Sequence, residues 1–176
     1  MARVKYVEET DVMDPKVQES FERMRKKRGK VTNIYKAMAH VPSIISTIGS
    51  FVAAVQEPHE IDAKLKERIM LRVSKINHFN YCYHAHKQIS KKMGFTDEKI
   101  KEVDSPLEAQ IPEPEKVALR YAEEMTIHPG NVPDSLFIEL KNFYSDSQIV
   151  ELTALIGLYN MINRFNEALK LDPEDY

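Results

Sequence analysis

The chain has 176 residues, a formal net charge of −2 and 43% apolar residues, a size at which one domain buries roughly 70% of its unfolded surface. One cysteine, five glycines and no tryptophan exclude an intrachain disulfide, a CxxC redox pair, a multi-cysteine zinc or iron–sulfur site and the glycine-rich phosphate loops. Apolar runs are too short for a membrane span, and Met1-Ala2-Arg3-Val4-Lys5 lacks a signal-peptide core, so a soluble cytoplasmic protein with no membrane partner is expected.

Helices are predicted from end to end. Asp14-Pro15 pairs a capping side chain with proline at the first helical position and opens a helix to about Lys27, closing near Gly29. Pro42 starts another, with Ile44, Ile45, Ile48, Phe51 and Val52 at spacings of three and four. A third opens around Asp62 and carries Ile61, Leu65, Ile69, Val73 and Ile76 on one side, with Lys64, Arg68, Arg72 and Lys75 as a basic stripe on another. A fourth begins near Asn80 and stops at Gly94, a natural C′ residue. Thr96 caps a short helix rich in acids at its start.

Beyond the proline-punctuated stretch 105–114, Val117, Ala118, Tyr121 and Met125 mark a helix from about Glu115 to Met125. Leu136, Phe137 and Leu140 mark a short one after the Pro129-Gly130 turn. Ser145 and Gln148 form a capping box for the longest helix, to about Leu171, apolar almost all round and so buried in a bundle or at a subunit contact. No segment alternates with period two. The expectation is an all-α, single-domain helical bundle over residues 1–176, with Glu67 and Glu151, each leading a long apolar helix, hinting at an internal repeat.

Reactive side chains concentrate in Asn77-His78-Phe79-Asn80-Tyr81-Cys82-Tyr83-His84-Ala85-His86. Cys82 and His86, four apart, share a helix face about one turn from each other. A helix starting near Asn80 puts Cys82 in its first turn, where free amides and the dipole favour a thiolate, and His86 can exchange its proton. Glu67 sits on the preceding helix, away from the basic stripe; antiparallel packing returns it beside Cys82 and His86, where a carboxylate orients the imidazole. A buried structural cysteine and a Glu67–Arg pair are the competing readings.

A metal site from His78, Cys82 and His86 is disfavoured, since a continuous helix separates the outer two by about 12 Å; no metal and no cofactor are expected. His84 faces elsewhere. Arg23, Arg25, Lys26, Lys27, Arg28 and Lys30, without interleaved aromatics, read as a solvated helix end, so no nucleic-acid partner is expected. Asn160, Asn163, Arg164 and Asn166 interrupt an apolar helix; such groups need partners across a helix or subunit contact, or line a pocket.

Glu67, then Tyr81-Cys82 fifteen residues on, then His86 resemble the signature of the carboxymuconolactone decarboxylase and alkylhydroperoxidase-D-like superfamily. Asn33-Ile34-Tyr35, Ala39-His40-Val41-Pro42, Ala118-Leu119-Arg120-Tyr121-Ala122 and Asn163-Arg164-Phe165-Asn166 resemble its peroxidase-related branch, extending the likeness to about residues 30–170. The resemblance implies an all-helical fold assembled as homo-oligomers, trimers or hexamers, with the site near a subunit contact. It further implies Cys82 as the attacking thiol, His86 as its proton partner and Glu67 as the orienting carboxylate. The chain departs from the family's CxxC pair at its first cysteine, where Phe79 stands.

The leading expectation is therefore a single-cysteine peroxidase-like enzyme. Cys82 attacks a small peroxide, His86 held by Glu67 protonates the departing oxygen, and an external thiol reduces the product. Phe79, Tyr81 and His78 are the candidate substrate-contacting residues. The alternatives are acid–base chemistry on a small lactone or keto acid with Cys82 dispensable, and a non-catalytic oligomeric ligand-binding protein.

Overall fold

A computed structural model describes residues 1–57 and 59–173, with residues 80 and 81 by their backbone alone. Among the described residues the helices are α1 (Pro15–Arg28), α2 (Asn33–Met38), α3 (Pro42–Gln56), α4 (Ala63–Ile76), α5 (Asn80–Lys92), α6 (Asp97–Lys101), α7 (Glu113–Ile127), α8 (Asp134–Lys141) and α9 (Asp146–Leu169), with 3-10 turns at Glu9–Asp11 and Glu102–Asp104, and no strand. The protein is all-α.

Capping chemistry sets most boundaries. Asp14 accepts a hydrogen bond from the Lys16 amide at 2.8 Å, and Gly29, at φ 77°, closes α1 by donating its amide to the Arg25 carbonyl. Asp62 accepts from the Lys64 amide at 2.7 Å. Ser145 and Gln148 form the full reciprocal box, Ser145 N to Gln148 Oε1 at 2.9 Å and Gln148 N to Ser145 Oγ at 3.2 Å. Helix α2 is an addition to the sequence reading, a short segment in which Ile34 and Tyr35 gave no clear period. Helix α7 begins at Glu113, two residues earlier than expected, because Pro114 fits its first turn.

The chain forms two compact units, residues 1–54 with 165–176, and residues 55–164. In the first, Val17, Phe21, Met24, Tyr35, Met38 and Ile45 form an apolar core. The Arg3 amide and guanidinium donate to the carbonyls of Leu169 and Ala168 at 2.8 and 2.9 Å, satisfying free acceptors at the end of α9. The apolar spacing of α3 is only partly turned inward: Ile45 and Val52 are buried, but Ile44 and Phe51 are 46% and 49% exposed.

In the second unit α4 packs on α5 and α7, and α7 on α8. Its interior includes Ile69, Leu71, Val117, Leu119, Leu152 and Ile156, all essentially inaccessible. Three residues of the basic stripe of α4 are paired with acids. Arg68 pairs with Glu102 and Glu115 at 2.8 and 3.1 Å, Arg72 with Glu123 at 2.7 Å, and Lys75 with Asp104. No helix of the described residues is long and apolar enough to cross a membrane.

Candidate active site

The link between α4 and α5 is fixed by backbone geometry. Asn77 ends α4, His78 adopts φ 55°, and the amides of His78 and Phe79 return to the carbonyls of Lys75 and Ser74 at 3.0 and 2.9 Å. This is a Schellman ending with histidine in the left-handed position usually given to glycine. The chain reverses within three residues, so α4 and α5 form an antiparallel hairpin. Phe79 then serves as N-cap of α5 without a side-chain bond. Cys82 is the third residue of α5 and is buried. The partial positive charge at the N-terminal end of α5 favours a thiolate there.

Packing of the hairpin brings Glu67 and His86 together: His86 Nδ1 lies 2.9 Å from Glu67 Oε2, both side chains about nine-tenths buried. Imidazole Nδ1–H donating to a carboxylate leaves Nε2 as the nitrogen for proton exchange. On the other side the ring meets Tyr159 of α9 edge to face, with centroids 5.0 Å apart. Gln56 Nε2 donates to the Tyr159 hydroxyl at 2.5 Å, holding that ring in place. The competing Glu67–Arg pair is not formed, since the carboxylate is directed to His86 and the arginines of α4 face Glu102, Glu115 and Glu123.

Of the remaining sequence candidates, Phe79 is buried at the head of α5. His78 is exposed in the link, and His84 is exposed with its ring against Tyr83. The side chain of Tyr81 lies outside the described residues. Among the described residues no three His, Cys, Asp or Glu side chains are grouped to hold a metal ion.

Tyr159 and Lys66 escaped the sequence reading, and Glu151 entered it only as a hint of an internal repeat. Tyr159 gave only the signal of an aromatic one turn before Asn163 on α9. Lys66, 1% exposed, donates from Nζ to the carbonyls of Val55 and Glu57 at 2.8 and 2.5 Å and pairs with Glu151 Oε1 at 2.5 Å. Glu151 Oε2 accepts from the amides of Glu60 and Ile61 at 3.2 and 3.3 Å, tying the lead-in of α4 to α9. Of the asparagines of α9, Asn160 and Asn163 pair across helices as expected. Asn160 Oδ1 accepts from Asn77 Nδ2 at 3.0 Å, and Asn160 Nδ2 donates to Thr126 Oγ1 at 3.0 Å.

The all-helical unit of residues 55–164 thus holds a buried Glu67–His86 pair with Cys82 on the same helix as the histidine. The chain belongs to the carboxymuconolactone decarboxylase family, whose model matches residues 46–124. It is 32% identical over 111 residues to the uncharacterized protein YdfG of Bacillus subtilis (strain 168), covering 62% of this chain and 76% of YdfG. Its fold matches a peroxidase-related protein of Silicibacter sp. TM1040 with a TM-score of 0.83 at 21% identity, covering 98% and 92% of the two chains. It also matches a cysteine-to-alanine variant of the debrominase Bmp8 in complex with 2,3,4-tribromopyrrole, with a TM-score of 0.84 at 21% identity, covering 99% and 94%.

Proposed function

We propose that the protein is a thiol peroxidase working through Cys82 alone. The observation that carries this reading is the buried 2.9 Å pair of His86 and Glu67, placed one turn from a cysteine in the first turn of α5. Cys82 gives its proton to His86 Nε2, and the thiolate attacks the terminal oxygen of a hydroperoxide. The S–O bond forms as the O–O bond breaks, and His86 returns the proton to the departing oxygen. Sulfur loses two electrons and becomes a sulfenic acid, and the peroxide becomes an alcohol or water. An external thiol then forms a mixed disulfide with release of water, and a second thiol regenerates Cys82. The protein works as a homo-oligomer, which sedimentation equilibrium tests.

Loss of the free thiol after mixing with hydrogen peroxide or cumene hydroperoxide tests the assignment. Oxidation far faster than that of free cysteine, slowed in His86→Gln, supports it. A rate equal to free cysteine rejects it.

A second reading follows from the Bmp8 likeness. The same thiolate would remove bromine as a positive equivalent from an aryl bromide while His86 protonates the ring carbon, and external thiol would reduce the sulfenyl bromide. Bromide release from tribromopyrrole in the presence of a thiol, lost in Cys82→Ser, would favour it.

A further inference from the structure

The basic run that closes α1 borders a cavity that shares no residue with the site around Cys82. The cavity, about 60 Å³ in volume, lies between α1 and α3 and is also lined by Tyr35 of α2, all within residues 1–54. Two helix faces build it. Arg23, Met24, Lys27 and Arg28 recur at the spacings of three and four that share one side of α1, and Ile45, Gly49 and Val52 do the same on α3. At about 10–15 Å³ for a single water, the space takes roughly four groups of water or methyl size.

Burial divides the lining by chemistry. Met24, Ile45 and Val52 are buried, whereas Arg23, Lys27 and Arg28 are exposed, so an apolar floor has a cationic rim. Arg23 donates to Ser50 Oγ of α3 at 3.3 Å and to Glu19 at 2.9 Å. Lys27 and Arg28 have no carboxylate partner among the described residues. Tyr35 is 7% exposed, and its hydroxyl has no hydrogen-bond partner among the described residues, an arrangement that calls for a bound group. Burial pushes this phenol up, and the charges of Arg28 and then Arg23 pull it back, so both guanidiniums are felt at the hydroxyl. Glycine at position 49 keeps the floor open: a methyl group there would meet Tyr35 Cε1 at 3.9 Å and nothing else outside its own helix within 4 Å.

We propose that this cavity binds a short-chain carboxylate, its apolar body against Met24, Ile45, Gly49 and Val52 and its carboxylate at the rim, accepting from the Tyr35 hydroxyl and the Arg28 guanidinium. A bare oxyanion such as phosphate fits poorly, since it would lose hydration on the apolar floor without gaining donors there. A neutral ligand of the same shape leaves the rim cations without an acceptor. An acid with a body of about four carbons meets both demands: its chain fills the space, and its head forms charge-assisted bonds with a guanidinium fork and a phenol. The site stands whether or not Cys82 reduces peroxides.

The test titrates the full chain with 3-methylbutanoate and follows the methyl resonances of Ile45 and Val52 by NMR. The expected result is a saturable shift of both, with a Kd on the order of 1 mM for a ligand of this size. Acetate, which lacks the body, and 3-methylbutanamide, which lacks the charge, bind at least about tenfold more weakly. Arg28→Gln weakens binding of the acid by about 3- to 10-fold, and leaves that of the amide unchanged. Gly49→Ala weakens it by about tenfold because the methyl group takes the space of the ligand's body. Its melting temperature equals or exceeds that of wild type, since alanine favours the helix and its methyl meets no clash.

Amide binding as tight as that of the acid overturns the assignment, because the rim then has no role. Wild-type affinity in Gly49→Ala overturns it too, by placing the ligand outside the cavity. The absence of a saturable shift at Ile45 and Val52 has the same consequence, as does inorganic phosphate binding with equal affinity, which would reduce the rim to a cluster of surface charge. If Gly49→Ala does not fold, Arg28→Gln, at an exposed position, carries the comparison of acid with amide, and a wild-type ratio in that variant rejects the site.

Discussion

Glu67 and His86, nineteen residues apart in the chain, meet through a 2.9 Å contact between Oε2 and Nδ1 inside residues 55–164. The contact selects Nε2 as the proton-exchanging nitrogen and keeps the imidazole plane fixed against Tyr159. Two substitutions separate orientation from proton transfer. Glu67→Gln retains an acceptor for Nδ1 but removes the charge, and is expected to slow Cys82 oxidation by about 10- to 100-fold. His86→Gln removes the proton carrier, with an expected loss of about 10²- to 10⁴-fold. Stopped-flow loss of thiol measures both. Equal rates in the two variants would leave the imidazole without a proton-carrying role.

His78 provides a stability prediction with a functional control. A non-glycine residue in the left-handed region costs about 1–2 kcal/mol, partly offset in glycine by its greater unfolded-state entropy. Because the His78 ring is exposed, His78→Gly is expected to leave the fold unchanged or stabilise it by up to about 1 kcal/mol in urea denaturation. Its peroxide oxidation rate is expected to match wild type. A raised KM in the variant would instead assign the ring to substrate binding.

The readable parts of this protein were those governed by local chemistry. Asp14-Pro15, Asp62, Gly94 and the Ser145–Gln148 box announce their helix ends because each cap is satisfied within four residues. The Glu67–His86 pairing was readable because a short link between two amphipathic helices leaves little choice of register. The fate of Arg68 and Arg72 was not readable, since their carboxylate partners at Glu102, Glu115 and Glu123 lie more than thirty residues away on elements without a distinctive pattern. Lys66 was missed for a related reason: a lysine in a basic helix signals solvent until Val55, Glu57 and Glu151 are seen to enclose it. Ile44 and Phe51 satisfy the helical period yet stay exposed, which periodicity alone does not distinguish from core.

Lys66 and Glu151 predict an asymmetric response to substitution. Lys66→Met leaves the Glu151 carboxylate in a largely buried position with only two amide donors, and removes the bonds to the last turn of α3 and to the residue that follows it. The expected cost is about 3–5 kcal/mol, the range for breaking one side of a buried ion pair. Glu151→Gln keeps an acceptor for the Glu60 and Ile61 amides and leaves Lys66 its two carbonyls, so it is expected to cost less. Urea denaturation of the two variants at neutral pH provides the comparison, and a larger loss in Glu151→Gln would contradict the assigned contacts.

The alkaline limit of stability is set in part by Tyr144. Its hydroxyl donates to the Pro114 carbonyl at 2.9 Å, and its pKa is pushed up from 10.0 to about 12, first by burial and then by the Glu115 carboxylate. The folded state thus holds this proton to higher pH than the unfolded chain does. The contribution to stability is fully present below pH 10.0 and is lost as pH rises toward about 12. Tyr144→Phe is expected to flatten that part of the stability–pH curve, at a cost near neutrality of about 0.5–1.5 kcal/mol for the lost hydrogen bond. Glu115→Gln removes the neighbouring negative charge while leaving the phenol buried, so ultraviolet titration of the phenolate moves to lower pH but stays above 10.0. A Tyr144 titration unmoved by Glu115→Gln would mean that burial alone sets its position.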